Sequence, residues 1–227
     1  MISKLNKVLI PVLAFFFIVS CSTFDPYTGE KKVSNTAKGA SIGAGVAAIA
    51  AYLASKDEDS SRKRNQRILR AAGGGAAIGG GIGYYMDAQE AKLRQQLGDS
   101  GVSVARDGDN INLLLPGNIT FPTGKSTLNA SFYSVLNSVA LVLEEYNKTL
   151  IIISGHTDST GSTAINQQLS NNRAAAVSSY LSSKGVFAER LETIGFASRR
   201  PIANNSTASG REQNRRVEMA LIPIESQ

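Results

Sequence analysis

Residues 149–155, TLIIISG, form an unbroken apolar run, and no other feature limits the fold of this chain so sharply. A run of this length without alternation reads as a buried strand. Such a strand needs partners to pair with and layers to cover it, and its neighbours supply both. Residues 102–115, VSVARDGDNINLLL, alternate across an Asp-Gly turn as a hairpin does. NITFPTGKSTL (118–128) is expected to end a strand and cap a helix, on which Leu128, Phe132, Val135, Leu136, Val139, Leu143 and Tyr146 make one apolar stripe. A second helix covers about 164–183, RLETIGF (190–196) is a further strand, and RRVEMALIPI (215–224) is the last. From Gly101 onward the expectation is therefore a compact α+β domain, residues 101–225.

The buried run delivers the chain into SGHTDSTGS (154–162), which holds the only histidine, His156, two places before Asp158. On a helical wheel the helix that follows has Ile165, Leu169, Ala176, Val177, Tyr180 and Leu181 on one side. Gln167, Gln168, Asn171 and Ser178 face away. Asn166 and Arg173 fall inside the apolar stripe, nearly in line. A guanidinium on a core-facing surface is costly unless paired. The nearest anion along the chain path is Asp158, at the end of the buried strand, and a loop of about six residues lets the two meet. Two readings stay open on this evidence. Asp158 and Arg173 form a buried salt bridge locking loop to helix, or they stand apart and capture a ligand bearing both charges. In the second case Arg173 clamps a carboxylate and Asp158 takes an ammonium, as the terminus of an amino acid would present them.

GHTDSTGSTAINQQLSNNRAAAV (155–177), followed by GFASRRPIANNSTASGREQNRRVEM (195–219), closely resembles the OmpA-like C-terminal domain. That family includes the peptidoglycan-associated lipoprotein and the MotB-type stator proteins. The resemblance covers about residues 105–224 and implies a βαβαβ-type mixed sheet with helices packed on one face. It further implies non-covalent binding of peptidoglycan through the diaminopimelate of the stem peptide, whose free end carries an ammonium and a carboxylate. The family's two principal binding residues align with Asp158 and Arg173, and Thr157, Asn166 and Leu169 align with positions lining the same pocket. The resemblance also implies that Arg211, Asn214 and Arg215 are chiefly structural or rim residues near wall polymer, and pinning a loop to the sheet is the preferred reading. One departure stands out: after the phenylalanine the family usually has an acid, and here Phe121 is followed by Pro122, at the border of the pocket.

The N-terminal part has a different character. Residues 1–20, MISKLNKVLIPVLAFFFIVS, place two lysines before an apolar stretch too short to span a membrane, as a secretory signal does. IVSC then sets the only cysteine, Cys21, after a small residue, and this resembles the lipobox of bacterial lipoproteins, in which that cysteine is lipidated. Ser22 rather than Asp implies sorting to the outer membrane, facing the periplasm. Residues 21–38 are polar and turn-rich and read as a lipidated, flexible tether. Within 39–98 lie two glycine- and alanine-rich stretches, GASIGAGVAAIAAYLA (39–54) and AAGGGAAIGGGIGYYM (71–86). Glycine every fourth residue bares one helix face and invites close helix packing. A membrane-associated helical hairpin, capable of self-association, is the expectation. DAQEAKLRQQL, with a Glu90–Arg94 pair and a Gly98 stop, is expected to be a short stalk. With lipobox, glycine zipper and OmpA-like domain in one chain, the whole resembles outer-membrane lipoproteins of the YiaD type.

Several function classes fare badly. One histidine and one cysteine, the latter at the lipobox, fall short of the three protein ligands of a hydrolytic zinc site, and no second histidine exists to activate a serine. His156 is expected to be a partly buried loop residue supporting Asp158, with no catalytic residue, metal or cofactor in the chain. A stator role would need a spanning helix bearing an acid, and the glycine stretches contain none. The formal charge of +6 falls to +4 without Lys4 and Lys7 of the leader, too diffuse a surplus to argue for nucleic acid. The partners expected are peptidoglycan and outer-membrane lipid. An assembly or membrane-interaction role for the glycine hairpin, with the wall-binding domain as anchor, remains the alternative.

Overall fold

The computed structural model describes residues 81–224 together with Lys63 and Asn65. The signal segment, Cys21, the tether and the glycine-rich stretches up to residue 80 lie outside the described residues. Among the described residues no helix is long and apolar enough to cross a membrane.

The elements in chain order are α1 (Ile82–Leu97), β1 (Ser103–Asp107), β2 (Asn110–Pro116), a single helical turn at Gly117–Thr120, α2 (Tyr133–Glu145), β3 (Thr149–His156), α3 (Thr163–Ser183), β4 (Leu191–Ala197), α4 (Ala208–Asn214) and β5 (Arg216–Pro223). The five strands form one mixed sheet in the order β1-β2-β5-β3-β4. Only the β3–β4 pair is parallel. The fold is α+β, as expected. The β1–β2 hairpin turns at Gly108, whose φ of 55° is the left-handed conformation such a turn requires.

Successive residues of a strand point to opposite faces. One face of the sheet carries Ile111, Leu113, Ile151, Ile153, Met219 and Leu221 into the main core, against Leu136, Val139 and Leu143 of α2 and Ala174, Val177 and Leu181 of α3. The alternate residues Leu150, Ile152 and Ala220 form a second, smaller cluster with Ile224 on the other face. Every residue of β3 is buried, which accounts for its unbroken apolar run. Burying each such Leu or Ile contributes about 1.5–3 kcal/mol before the entropy of ordering is set against it.

Two expectations are corrected here. The segment after β2 does not continue as strand. Pro116 lacks an N–H and fixes φ, and Gly117 lies so close to the Arg215 carbonyl that a Cβ would sit 2.4 Å from its oxygen. The chain therefore turns at Gly117–Thr120. Nor does α1 stand off as a stalk. Met86, Leu93 and Leu97 are fully buried in the core. Glu90 is buried too, and it accepts from Arg94 Nε at 2.8 Å. Tyr85 packs edge-on against Tyr146 at 5.3 Å, and its hydroxyl accepts from the backbone N–H of Lys148 at 3.0 Å. Residues that read as solvated helix in isolation are the third apolar wall of the domain.

Arg190 closes the end of α2. It is fully buried and donates to the carbonyls of Leu143, Tyr146 and Thr149. Burial lowers its pKa to about 10, so it remains charged and satisfies carbonyls that the helix end leaves without partners.

Candidate ligand site

The site forms where β3 runs out of the sheet. Gly155 is needed there because α3 crosses at contact distance, and a Cβ would meet the Ser170 carbonyl oxygen at 2.0 Å. Thr157 extends the parallel pairing by one bond, its N–H donating to the Ala197 carbonyl at 2.9 Å. The chain then turns through Asp158–Gly161 and enters α3 under Ser162, whose hydroxyl accepts from Ile165 N–H at 3.3 Å. Asp158 folds back on this turn, Oδ1 accepting from Thr160 N–H at 2.8 Å. Asn166 fastens the turn to the helix by donating to the carbonyls of Asp158 at 3.3 Å and Thr160 at 2.9 Å.

The buried side of α3 is Asn166, Ser170, Arg173, Ala174, Val177 and Leu181. Asn166 and Arg173 thus face inward as expected, but Ile165 does not: it is 66% exposed, and Leu169 is half-buried. At its first turns the helix meets loop carbonyls and glycine backbone, which match amide and hydroxyl groups better than large apolar ones. The aliphatic residues there turn outward instead. Ile165, Gln168, Leu169 and Asn172 face the loop 124–127 across a groove of about 350 Å³.

Asp158 and Arg173 lie 7% and 3% exposed. No ion pair joins them within 4.0 Å; the partner of Asp158 is Arg215, whose Nη1 donates to Oδ2 at 2.7 Å. Burial pushes the Asp158 carboxyl up, but the Arg215 guanidinium and the Thr160 amide outweigh it and hold the group below its ordinary value. Arg173 sits over the Phe121 ring at 5.1 Å and donates from Nε to the Lys125 carbonyl at 3.0 Å. Among the described residues no hydrogen bond engages its two Nη groups. Its pKa is lowered by burial first and by the like charge of Arg215 second, with Asp158 pulling it partly back. Asp158, Arg173 and Arg215 therefore share one field. Leu169 lines the groove and Lys125 links it to Arg173, while Asp158 and Arg173 lie outside its lining. Thr157 is buried, and its hydroxyl has no hydrogen-bond partner among the described residues.

Two residues are placed differently from expectation. His156 is no loop residue and is wholly buried at the end of β3. It stacks on Phe196 at 5.4 Å, with Nε2 3.2 Å from Ser154 Oγ and 3.9 Å from Glu218 Oε2. Burial, reinforced by Arg216 and Arg200, holds it neutral, with a pKa well below the ordinary value. Strand alternation puts it on the face away from α3, so it does not brace Asp158. Arg215, read chiefly as an arginine pinning a loop to the sheet, belongs to the charged cluster. The signal for it is strand order: β5 runs antiparallel to β3 with Val217 opposite Gly155, which sets residue 215 beside the Thr157–Asp158 corner. Arg211 and Asn214 do pin the loop, Arg211 through the Asn205 and Ser206 carbonyls and Asn214 through Ile202, Ala203 and Asn205. Among the described residues no group of His, Cys, Asp or Glu is arranged to hold a metal.

The OmpA family model matches residues 120–215, and the YMGG-like Gly-zipper model matches residues 1–87. The chain is 49% identical over 206 residues to the probable lipoprotein YiaD of Escherichia coli (strain K12), covering 91% of this chain and 92% of that protein. It is 40% identical over 111 residues to the peptidoglycan-binding protein ArfA of Mycobacterium tuberculosis, covering 49% of this chain and 34% of that one. Among solved structures, the cell wall anchor of the T6SS from Pseudomonas aeruginosa matches with a TM-score of 0.53 at 27% identity, over 58% of this chain and 96% of that one. A putative MotB-like protein from Desulfovibrio vulgaris shares the fold, with a TM-score of 0.56 at 24% identity over 64% of this chain and 97% of its own. With the OmpA family model and the YMGG-like Gly-zipper model both matched, and 49% identity over 91% of its length to the probable lipoprotein YiaD, this chain belongs to the OmpA family.

Proposed function

We propose that this protein is a non-catalytic lipoprotein of the outer membrane that faces the periplasm and grips peptidoglycan. Cys21 carries the acyl anchor, and the ligand is the diaminopimelate of an uncrosslinked stem peptide. Arg173 clamps the carboxylate at its free end, Asp158 takes the ammonium beside it, and Thr157, Asn166 and Leu169 shape the pocket. The observation that carries the reading is a buried guanidinium with both Nη groups unengaged among the described residues, sharing one field with Asp158. Those donors are available to clamp a carboxylate, while Asp158 keeps its bond to Arg215. The 40% identity to a protein named for peptidoglycan binding, and the fold shared with a cell wall anchor, support the same ligand class. Single grips need not be strong, because holding both partners near one plane raises their effective concentration.

The test is co-sedimentation of the full chain, in detergent, with purified sacculi. Asp158→Ala or Arg173→Ala each costs about 2–5 kcal/mol of binding, since each strands a charge in a desolvated site. Free diaminopimelate competes, and no soluble muropeptide is released. Equal sedimentation of wild type and both variants would refute the assignment. The Gly-zipper match over residues 1–87 favours a second role, in membrane interaction or assembly, with the OmpA domain as anchor. Loss of that role on deletion of residues 39–54, with sacculus binding intact, would separate the two.

A further inference from the structure

The charged cluster holds more cation than the proposed ligand contact uses. Arg173 feels two formal charges strongly enough to matter, the like charge of Arg215 and the opposite charge of Asp158. Two guanidiniums, of which Arg215 contacts the carboxylate and Arg173 senses it, give the cluster a net charge of one positive. An amino-acid end, with one ammonium and one carboxylate, brings no net charge and leaves that surplus in place. A ligand with one ammonium and two carboxylates cancels it.

Arg215 is built to serve such a ligand. Its backbone is fixed: its carbonyl accepts from Gly117 N–H at 2.7 Å, and its N–H donates to the Arg211 carbonyl at 3.1 Å. Its side chain is 35% exposed and makes one hydrogen bond, Nη1 to Asp158 Oδ2. The remaining donors engage no group among the described residues. An ionised carboxylate accepts up to about four hydrogen bonds, so an ammonium can join Asp158 without evicting Arg215. The guanidinium then stands beside the bound ammonium with donors left for an anion.

We propose that Arg215 is a specificity-determining residue, which takes a second carboxylate and so selects stem peptides that end at diaminopimelate. The inference rests on the ligand reading given under Proposed function. In a stem peptide ending there, diaminopimelate carries the ammonium and carboxylate of its free end and, on its other α-carbon, the terminal carboxylate of the peptide. Arg173 takes the first carboxylate and Arg215 the second. When the peptide continues, that second group is an amide and offers no charge. The reaction class that supplies the preferred ligand is hydrolytic trimming of the residues beyond diaminopimelate.

The experiment is calorimetric titration of the full chain, in detergent micelles, with two synthetic probes. One is the tripeptide L-alanyl-γ-D-glutamyl-meso-diaminopimelate, and the other is the same peptide with its terminal carboxylate as a primary amide. Wild type binds the acid about tenfold more tightly than the amide, the size of one charge-assisted contact. In Arg215→Gln that ratio falls to within about twofold, mainly through weaker binding of the acid, and Arg215→Lys keeps most of it. If Arg215→Gln weakens both probes by the same factor, or leaves the ratio intact, Arg215 only braces Asp158 and the inference is wrong. Equal binding of both probes by wild type overturns the inference alone. Binding of neither overturns the ligand reading and the inference with it.

Discussion

Arg215 and Asp158, 57 residues apart, meet through a 2.7 Å hydrogen bond that closes the gap between the last strand and the loop after β3. The pair ties the two halves of the site together and sets the charge state of Asp158.

Removing the guanidinium leaves burial opposed only by the hydrogen bonds with Thr160. In Arg215→Gln the Asp158 pKa is expected to rise, with the Thr160 hydrogen bonds still opposing burial, measurable by carboxyl NMR titration. The sign follows for stability. A depressed carboxyl contributes stability at neutral pH that is lost as pH falls through its folded pKa, so wild type loses this contribution at acid pH and the variant has little to lose. Because Arg215 is partly exposed, the cost at neutral pH is modest, about 1 kcal/mol by urea denaturation.

His156 imposes a different pH dependence. Neutral and enclosed in the fold, it protonates freely once unfolded, near its ordinary value of 6.5. Unfolding then takes up a proton, so stability declines as pH drops below that value, by at most about 1.4 kcal/mol per pH unit. His156→Gln is expected to be less stable at pH 8 yet to show a flatter decline between pH 6.5 and 5. Parallel curves for the two proteins would contradict the buried neutral state.

Gly155→Ala forces a methyl group to within 2.0 Å of the Ser170 carbonyl oxygen. The helix must lift from the strand, at a cost of about 2–3 kcal/mol in thermal or urea unfolding. Because the same shift moves Arg173 relative to Asp158, sacculus binding falls as well. A variant of unchanged stability would mean that α3 lies farther off than the geometry gives.

A fragment beginning at residue 100 lacks Met86, Leu93 and Leu97, all fully buried in the core. It is expected to lose more than about 4 kcal/mol relative to a fragment beginning at residue 80, and to expose an apolar surface that binds a hydrophobic dye. Equal urea midpoints would show that α1 is dispensable.

Asn166→Ala removes both bonds that fasten the Asp158–Thr160 turn to α3. About 1 kcal/mol of stability goes with each lost hydrogen bond. Sacculus binding is expected to drop further than folding, since the turn positions Asp158.

Local patterns carried much of this architecture. The unbroken run at 149–155, the Asp-Gly hairpin and the periodic helices each declare themselves within a short window, because side-chain alternation and helical period are local properties. The Asp158–Arg173 neighbourhood was legible for the same reason: a strand, a short loop and a helix leave little freedom. What escaped were relations between distant segments. Arg215 reaches Asp158 only because β5 inserts between β2 and β3, an order no window reveals. The outward turn of Ile165 depends on how closely glycine backbone lets α3 approach. Helix α1 looked free-standing because the surface that covers Met86 and Leu93 lies later in the chain.

The placement of β3 has a mechanical consequence. Helix α1 is fastened near the beginning of β3, where Tyr85 meets Tyr146 and Lys148, while Asp158 lies just beyond the end of β3. Under the proposed function, a pull between the acyl anchor and the wall polymer would run lengthwise through an eight-residue strand flanked on both edges. Its ladder bonds are loaded in shear and must fail together, whereas bonds at a sheet margin can be unzipped one at a time.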